Sequence, residues 1–337
     1  MHPTPPGDAP RHPPTRSDVA RRAGVSTAVV SYVVNSGPRP VAPATRQRVL
    51  DAMAALGYRP NAAARALRLR RATAIGLVVP DVSNTYFGAL ARELSDRAFT
   101  AGYGLLLGDS NNDPERERAQ VESLVDRQVD GLIVLSLEPG STVELRGTPT
   151  VYLDQRSRPG QASIVIDNAG GARTAVEHLV GHGRRRIAHL GGLAGAPGAD
   201  DRARGWREAL ARAGLESGAD LSVQADYSRE GGHAAARDLL SRRPRVDAVF
   251  VASDVQALGL LRAARELGIS VPQDLAVVSF DGTADAVFSD PPLTAVEQPL
   301  ARIADAALSA VLGQPPPRGR QQIAVDLVIR RSCGCTE

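Results

Sequence analysis

Residues 17–35 read SDVARRAGVSTAVVSYVVN and carry polar side chains at a spacing that suits contact with base edges. Val30, Val33 and Val34 fall at i, i+3 and i+4, which fixes the inward face of a helix. Thr27, Ala28, Ser31 and Tyr32 then share its outward face. Hydroxyls donate and accept hydrogen bonds, and an alanine methyl packs on a thymine methyl, so such a face can read a major groove. A preceding helix with Val19, Ala20 and Ala23 inward, stopped at Gly24, completes a helix-turn-helix. Ordinary packing would give the same pattern, so the chemistry needs a second signal.

Charge supplies one. Residues 1–72 hold twelve arginines against Asp8, Asp18 and Asp51, a net +9; the remainder carries −6, for an overall +3. A basic head on an acidic body points to a polyanionic partner for the head alone. All forty cations are arginine, which a codon bias explains without reference to function.

A different set of groups follows further on. VVPDVSNTYFGAL (78–90) ends an apolar strand and opens a helix, where an open α/β sheet binds its ligands. There Asp81, Asn84, Tyr86 and Phe87 offer hydrogen bonds beside aromatic surface.

The elements that must hold these residues can be read in outline. Residues 1–14 contain six prolines and no apolar period, which predicts a disordered arm. Thr15 with Asp18 forms a capping box, Ser26 caps the second helix, and a third runs from Pro43 to Gly57 with Val49, Met53 and Leu56 inward. Asn61 can cap a helix through the alanines of YRPNAAARALRLRRAT (58–73), but one too short to persist alone. Beyond residue 73, strands near 75–79, 105–107, 132–135, 151–153, 187–190, 248–251 and 276–280 alternate with helices near 88–101, from Asp113, 170–181, 202–213, 231–241 and 255–267. The fold class is therefore α/β: parallel sheets covered on both faces, in two lobes with a cleft between them, behind a three-helix head.

The segments SDVARRAGVSTAVVSYVVN and TRQRVLDAMAALGYRPNAAARAL resemble the amino-terminal domain of the lactose/galactose-repressor (LacI/GalR) family. They meet its D-V-A start, A-G-V-S turn, V-S-x-V-x-N recognition helix and G-Y-x-P-N-x-x-A-x-x-L hinge. The resemblance extends over about residues 15–331. It implies a helix-turn-helix domain at 15–60, a hinge at 61–72 and a periplasmic-binding-protein-like sensor at 73–331, with a tail at 332–337. One lobe would comprise about 73–167 and 298–320, the other 168–297 and 321–331.

Carried over by position, Thr27, Ala28 and Tyr32 approach bases, and Ser26, Ser31 and Asn35 approach phosphates. Tyr32 stands where several family members use an arginine to grip guanine, so the preferred operator should differ. In the hinge, Asn61, Ala64 and Leu67 match the DNA-contacting pattern, with Leu67 as a wedge between base pairs in the minor groove. The loop from residue 35 to 45 is about one residue longer than in the lactose-repressor branch. The ligand loop at Asp81, Asn84, Tyr86 and Phe87 gains further matches at Asp154, Arg202, Tyr227, Ser253, Asp281 and Gln298. Arg202 with Asp281 could hold neighbouring hydroxyls, as a sugar requires, or could be a structural ion pair.

Other residues are expected to be structural. Trp206 should pack in the core, Asp254 should cap or orient its helix, and GGLAGAPG (191–198) lacks the Gly-Lys-Ser/Thr of a phosphate loop. His178, His182 and His189 lack metal spacing, and Cys333 with Cys335 has no histidine cluster to complete a site, so no metal is expected. No nucleophile–base pair or cofactor fingerprint appears either.

The expectation is a cytoplasmic, homodimeric, ligand-controlled transcription factor. Its partners would be a pseudo-palindromic double-stranded DNA operator and a small polar effector, with no cofactor and no membrane. A carbohydrate-binding or hydrolytic α/β protein without a DNA role is the rival reading.

Overall fold

The computed structural model describes residues 14–35, 39–59, 72–135, 144–154, 162–196, 198–313 and 319–336. The chain divides into two compact units, Met1–Ala72 and Thr73–Glu337, each considered by itself.

In the first unit α1 (Arg16–Ala23) begins at a capping box in which Thr15 and Asp18 satisfy each other's backbone N–H groups. Gly24 closes it in the left-handed conformation. Helix α2 (Thr27–Asn35) follows, with the Val29 N–H donating to the Ser26 hydroxyl at 3.3 Å. Helix α3 (Pro43–Leu56) starts with proline at its first position and stops at Gly57. Val19, Ala20, Ala23, Val30, Val33, Val49 and Ala52 form a small core, on which Met53, Leu56 and Tyr58 pack. Valines this deeply buried contribute up to about 1.5–3 kcal/mol each, enough to set helix orientation in so small a unit.

The second unit holds two six-stranded sheets with the orders β11-β5-β4-β3-β1-β2 and β12-β10-β9-β8-β6-β7. The first sheet comprises β1 (Ala74–Val79), β2 (Gly104–Asp109), β3 (Gly131–Val134), β4 (Thr150–Leu153), β5 (Ala162–Ile166) and β11 (Gly319–Ile323). The second comprises β6 (Ile187–Gly191), β7 (Ser222–Gln224), β8 (Ala248–Val251), β9 (Ala276–Asp281), β10 (Thr294–Glu297) and β12 (Asp326–Val328). Among the described residues all strand pairings are parallel except β10 with β12. The helices between them are α4 (Thr85–Thr100), α5 (Pro114–Asp126), α6 (Asn168–Gly181), α7 (Ala199–Arg212), α8 (Arg229–Ser241), α9 (Asp254–Glu266), α10 (Ala284–Phe288) and α11 (Leu300–Leu312).

The chain passes between the sheets three times, after β5, after β10 and after β11. The last passage falls after Ile323 rather than after residue 320 as expected. Parallel pairing with β5 carries on from Arg320↔Ser163 to Ile323↔Ile166, which keeps Gln321–Ile323 in the first sheet.

Two further expectations are corrected here. The segment after β12 is not a tail of little consequence, because Ser332 is fully buried and staples two strands. Its hydroxyl donates to the Val277 carbonyl at 2.6 Å and accepts from the Thr294 N–H at 2.9 Å. The two cysteines also do find histidines. His178, in the last turn of α6, and His182, its C-cap, lie with Cys333 and Cys335 so that all four ligand atoms fall within 4.8 Å of one another. A separation of some 150 residues hid this packing from the sequence pattern. His189 is elsewhere, buried in β6 between Trp206 and Phe250.

Candidate functional site

On the first unit, Ser26, Thr27 and Ala28 are exposed at the start of α2, and Ser31 and Tyr32 one turn later are half-buried. The side chain of Asn35 lies outside the described residues, as do Asn61, Ala64 and Leu67. Arg16, Arg22, Arg39, Arg46, Arg48 and Arg59 are all exposed, and Arg21 is tied to Asp18. The unit thus offers a short polar helix start among solvated guanidinium groups, suited to a phosphate backbone with base edges behind it.

On the second unit, a cleft of about 590 Å³, counting its open mouth, lies at the carboxyl ends of the strands. Asp154 follows β4, Asp281 ends β9, and Tyr86 sits in the first turn of α4, where Asn84 caps the helix by accepting from the Tyr86 N–H at 3.0 Å. Two hydrogen-bond chains cross between the lobes. In one, the Tyr86 hydroxyl donates to Gln298 Oε1 at 2.7 Å and Gln298 Nε2 donates to Asp281 at 2.8 Å. In the other, Arg202 Nε donates to Asn168 at 2.8 Å and Asn168 Nδ2 donates to Asp154 at 2.7 Å. Arg202 joins them: its Nη1 lies 3.6 Å from Asp281 and donates to the Ala252 carbonyl, and its Cζ lies 3.9 Å from the centre of the Phe280 ring.

Burial dominates the electrostatics. It pushes the Asp281 carboxyl up to about 7 against the pull of Arg202, with the nearby Asp254 carboxyl adding to the rise. It also raises Asp154, again opposed by Arg202, and pushes the Tyr227 phenol up to about 12. Burial works against the charge on Arg202, but Tyr227, Asp281 and Asp154 more than offset it, and the guanidinium stays ionised. Asp154 and Asp281 also share a backbone peculiarity: both have positive φ, 56° and 108°. Non-glycine residues rarely adopt such angles, and their strain gathers at sites where a side chain must be aimed.

The amino-terminal segment at 15–61 matches the family described as bacterial regulatory proteins, lacI family, and residues 176–333 match the periplasmic binding protein-like domain. The HTH-type transcriptional repressor PurR of Erwinia tasmaniensis is 34% identical over 329 residues, covering 94% of this chain and 96% of that protein. This chain belongs to the LacI family. The ribose operon repressor of Halalkalibacterium halodurans is 35% identical over 323 residues, covering 94% of this chain and 96% of that protein. The structure of the Lac repressor dimer bound to operator and the anti-inducer ONPF superposes with a TM-score of 0.83 at 31% identity, covering 96% of this chain and 99% of that one. As a LacI-family member the protein is a DNA-binding transcriptional regulator with a ligand-sensing α/β unit.

Within this LacI-family cleft, nine of the ten residues expected to meet ligand line the cavity: Asp81, Asn84, Tyr86, Phe87, Asp154, Arg202, Tyr227, Asp281 and Gln298. Ser253 is not among the lining residues. Its hydroxyl caps α9 by accepting from the Gln256 N–H at 3.3 Å and donates to Gln256 Oε1 at 3.1 Å, so it is committed to the helix. Sequence reasoning missed Asn112 and Leu135, which line the cavity, and Asn168, which links Arg202 to Asp154; the Asp167-Asn168 pair just before a predicted helix was the available signal for the last. Trp206 is buried, its indole donating to the Ile187 carbonyl at 3.1 Å. Asp254 accepts from the Ser279 hydroxyl at 2.6 Å and the Thr283 N–H at 2.6 Å, anchoring the turn that presents Asp281. No helix among the described residues is long and apolar enough to cross a membrane.

Proposed function

We propose that the protein is a dimeric repressor whose grip on a pseudo-palindromic operator is governed by a neutral polyhydroxyl effector, a sugar or sugar derivative, in the cleft. The observation that carries this reading is the Arg202–Asp281 pair, whose side chains are only 5% and 6% exposed at the floor of the cavity. A guanidinium and a carboxylate side by side donate to and accept from adjacent hydroxyls, while Tyr86, Phe87, Tyr227 and Leu135 provide apolar cover for a ring. Among the described residues lining the cavity, three carboxyl groups, Asp81, Asp154 and Asp281, accompany one cation, Arg202. A phosphorylated or otherwise anionic ligand would meet too little positive charge, which favours a neutral one.

Control of DNA affinity follows from the two chains of hydrogen bonds that tie the lobes together. A hydroxylated ligand competes for Gln298, Asn168 and both aspartates, so it binds one lobe arrangement better than another, and that difference is the coupling free energy. The hinge at 61–72 would carry the change to the head, with Leu67 as its wedge in the minor groove. Thr27, Ala28 and Tyr32 would read bases, and Ser26, Ser31 and Asn35 would hold phosphates. A dimer is supported by the edge strand β2, where Leu106 and Leu107 are 38% and 50% exposed, and by Phe99 at 81%. A DNA operator puts the site of action at the nucleoid, in the cytoplasm. Ligand recognition here needs no bond to be made or broken, so the protein acts as a sensor and not an enzyme.

The test is a thermal-shift panel of aldoses, polyols, nucleosides and sugar phosphates, run on the intact protein and on Arg202→Ala. A neutral hydroxylated compound should raise the Tm of the first alone, change affinity for a selected duplex, and be recovered unaltered. Stabilisation only by anionic compounds would overturn the ligand class, and indifference to duplex DNA at low salt would overturn the regulator.

A further inference from the structure

The chain contains only two cysteines and six histidines, and both cysteines meet two of those histidines at one point on the second lobe. His178, in the last turn of α6, and His182, its C-cap, stand at i and i+4. Cys335 Sγ lies 3.2 Å from His182 Nε2 and 3.8 Å from His178 Nε2. Between the cysteines, Gly334 takes φ 101°, which a side chain would resist, and lets the chain turn there. Cys333 is fully buried, Cys335 and His178 are half-buried, and His182 is exposed.

We propose that these four residues form a structural zinc site that fastens the carboxy-terminal segment to α6. A Cys₂His₂ set is the donor combination that selects zinc, which demands tetrahedral geometry. Zinc–sulfur bonds of about 2.3 Å and zinc–nitrogen bonds of about 2.0–2.1 Å place tetrahedral ligand atoms about 3.3–3.8 Å apart. The four atoms lie within 4.8 Å of one another, so rotamer adjustments of about an ångström bring them onto an ion. Two surrounding features support a cation. The Thr294 hydroxyl lies 3.1 Å from Cys333 Sγ and 3.0 Å from the Arg330 carbonyl, so its one proton can turn to the sulfur as the outer-shell bond that orients a thiolate ligand. The site also adjoins the carbonyl end of α6, the negative end of the helix dipole.

The fastening has a structural object. Ser332, next to Cys333, staples β9 to β10, and those strands lead directly to Asp281 and Gln298 in the cleft. Zinc would thus stabilise the frame of the effector site without touching effector. Arg184 stands close by but is occupied, donating to the carbonyls of Asp247 and Pro272.

The test uses the full chain purified under reducing conditions without chelator, and its probes are zinc and cobalt(II) alone. The expected results are zinc stoichiometric with protein and, on cobalt substitution, the visible bands of a tetrahedral ion with thiolate-to-metal absorption in the near ultraviolet. Chelator should lower the Tm of the native chain. Cys335→Ser and His182→Ala alter accessible side chains, so both should fold, lose the cobalt bands and become insensitive to chelator. Zinc content at background level, unchanged cobalt binding in both variants, or a Cys333–Cys335 disulfide that persists in reductant would each overturn the site. None of these outcomes depends on effector or DNA, so they leave the proposed function to its own test.

Discussion

Arg202 and Asp281 come within 3.6 Å of each other while almost wholly withdrawn from water. Truncating Asp281 leaves Arg202 a buried cation short of a partner, at a cost on the order of 3–5 kcal/mol, and truncating Arg202 strips Asn168 and the Ala252 carbonyl of their donor and leaves Asp281 buried with its proton. Arg202→Ala should therefore lower the Tm and abolish the effector response while the ligand-free protein still binds operator. Arg202→Ala with Asp281→Leu should regain part of the stability but none of the response. Dose–response curves by fluorescence anisotropy on labelled duplex, beside calorimetric melts, check both; a normal response in the single mutant would refute the assigned role.

Asp281, raised to about 7, and Asp254, raised to about 6, retain protons in the native state that the unfolded chain releases near 3.8. The native state therefore binds more protons between about pH 4 and 7, and stability falls as pH rises through that window. Asp281→Asn should flatten the decline of Tm between pH 5 and 8. An unchanged slope in the mutant would show that Asp281 is already ionised.

His189 behaves in the opposite sense. Burial, with Arg207 and Arg202 assisting, depresses its pKa from 6.5 to about 3, and neither ring nitrogen has a hydrogen-bond partner among the described residues. The unfolded chain binds the extra proton, so stability is lost as pH falls from about 6.5 toward 3. His189→Phe keeps the slab between Trp206 and Phe250, each 5.5 Å away, and removes two unsatisfied nitrogens. It should raise the Tm at pH 7 and reduce acid sensitivity, as melts at pH 5 and 7 would show.

Gly282 has φ 71°, and a Cβ there would lie 2.7 Å from the Glu297 Cα. Gly282→Ala should destabilise the protein by about 1–3 kcal/mol and, by shifting Asp281, weaken effector binding further than its stability loss explains. Isothermal titration with the effector from the thermal-shift panel separates the two effects.

Tyr32 is half-buried one turn into α2, with a single hydroxyl to offer. Tyr32→Arg should change the base preference at its position toward guanine, through bidentate bonds worth about 1–3 kcal/mol of discrimination. Selection from a random duplex pool reads this out; identical selected sites would remove Tyr32 from base reading.

Much of the architecture was legible because short apolar strands and capped helices carry local signals. The three helices of the head, the pairing of Thr15 with Asp18, and seven parallel strands follow from spacing and caps. β5, ASIVI, and β10, TAVE, escaped although they are short buried runs, whereas the other strands that escaped lack such signals. β11, GRQQI, is polar and exposed over most of its length, and β12 has three residues. The cleft residues were legible through motif position, except Ser253, which was matched as a ligand contact although a serine before a helix serves equally as a cap. Only the fold, which spends its hydroxyl on Gln256, separates the two. The meeting of His178 and His182 with the two cysteines had no local signal at all, because it depends on how the end of the chain returns to α6.

Both sheets take an outer strand from the end of the chain, β11 and β12, whereas the three helices of the head are complete by residue 57. During synthesis the reader of DNA can fold long before either half of its sensor is finished. A message cut short before residue 319 would release a polypeptide with an intact groove-reading surface and no means of hearing its signal.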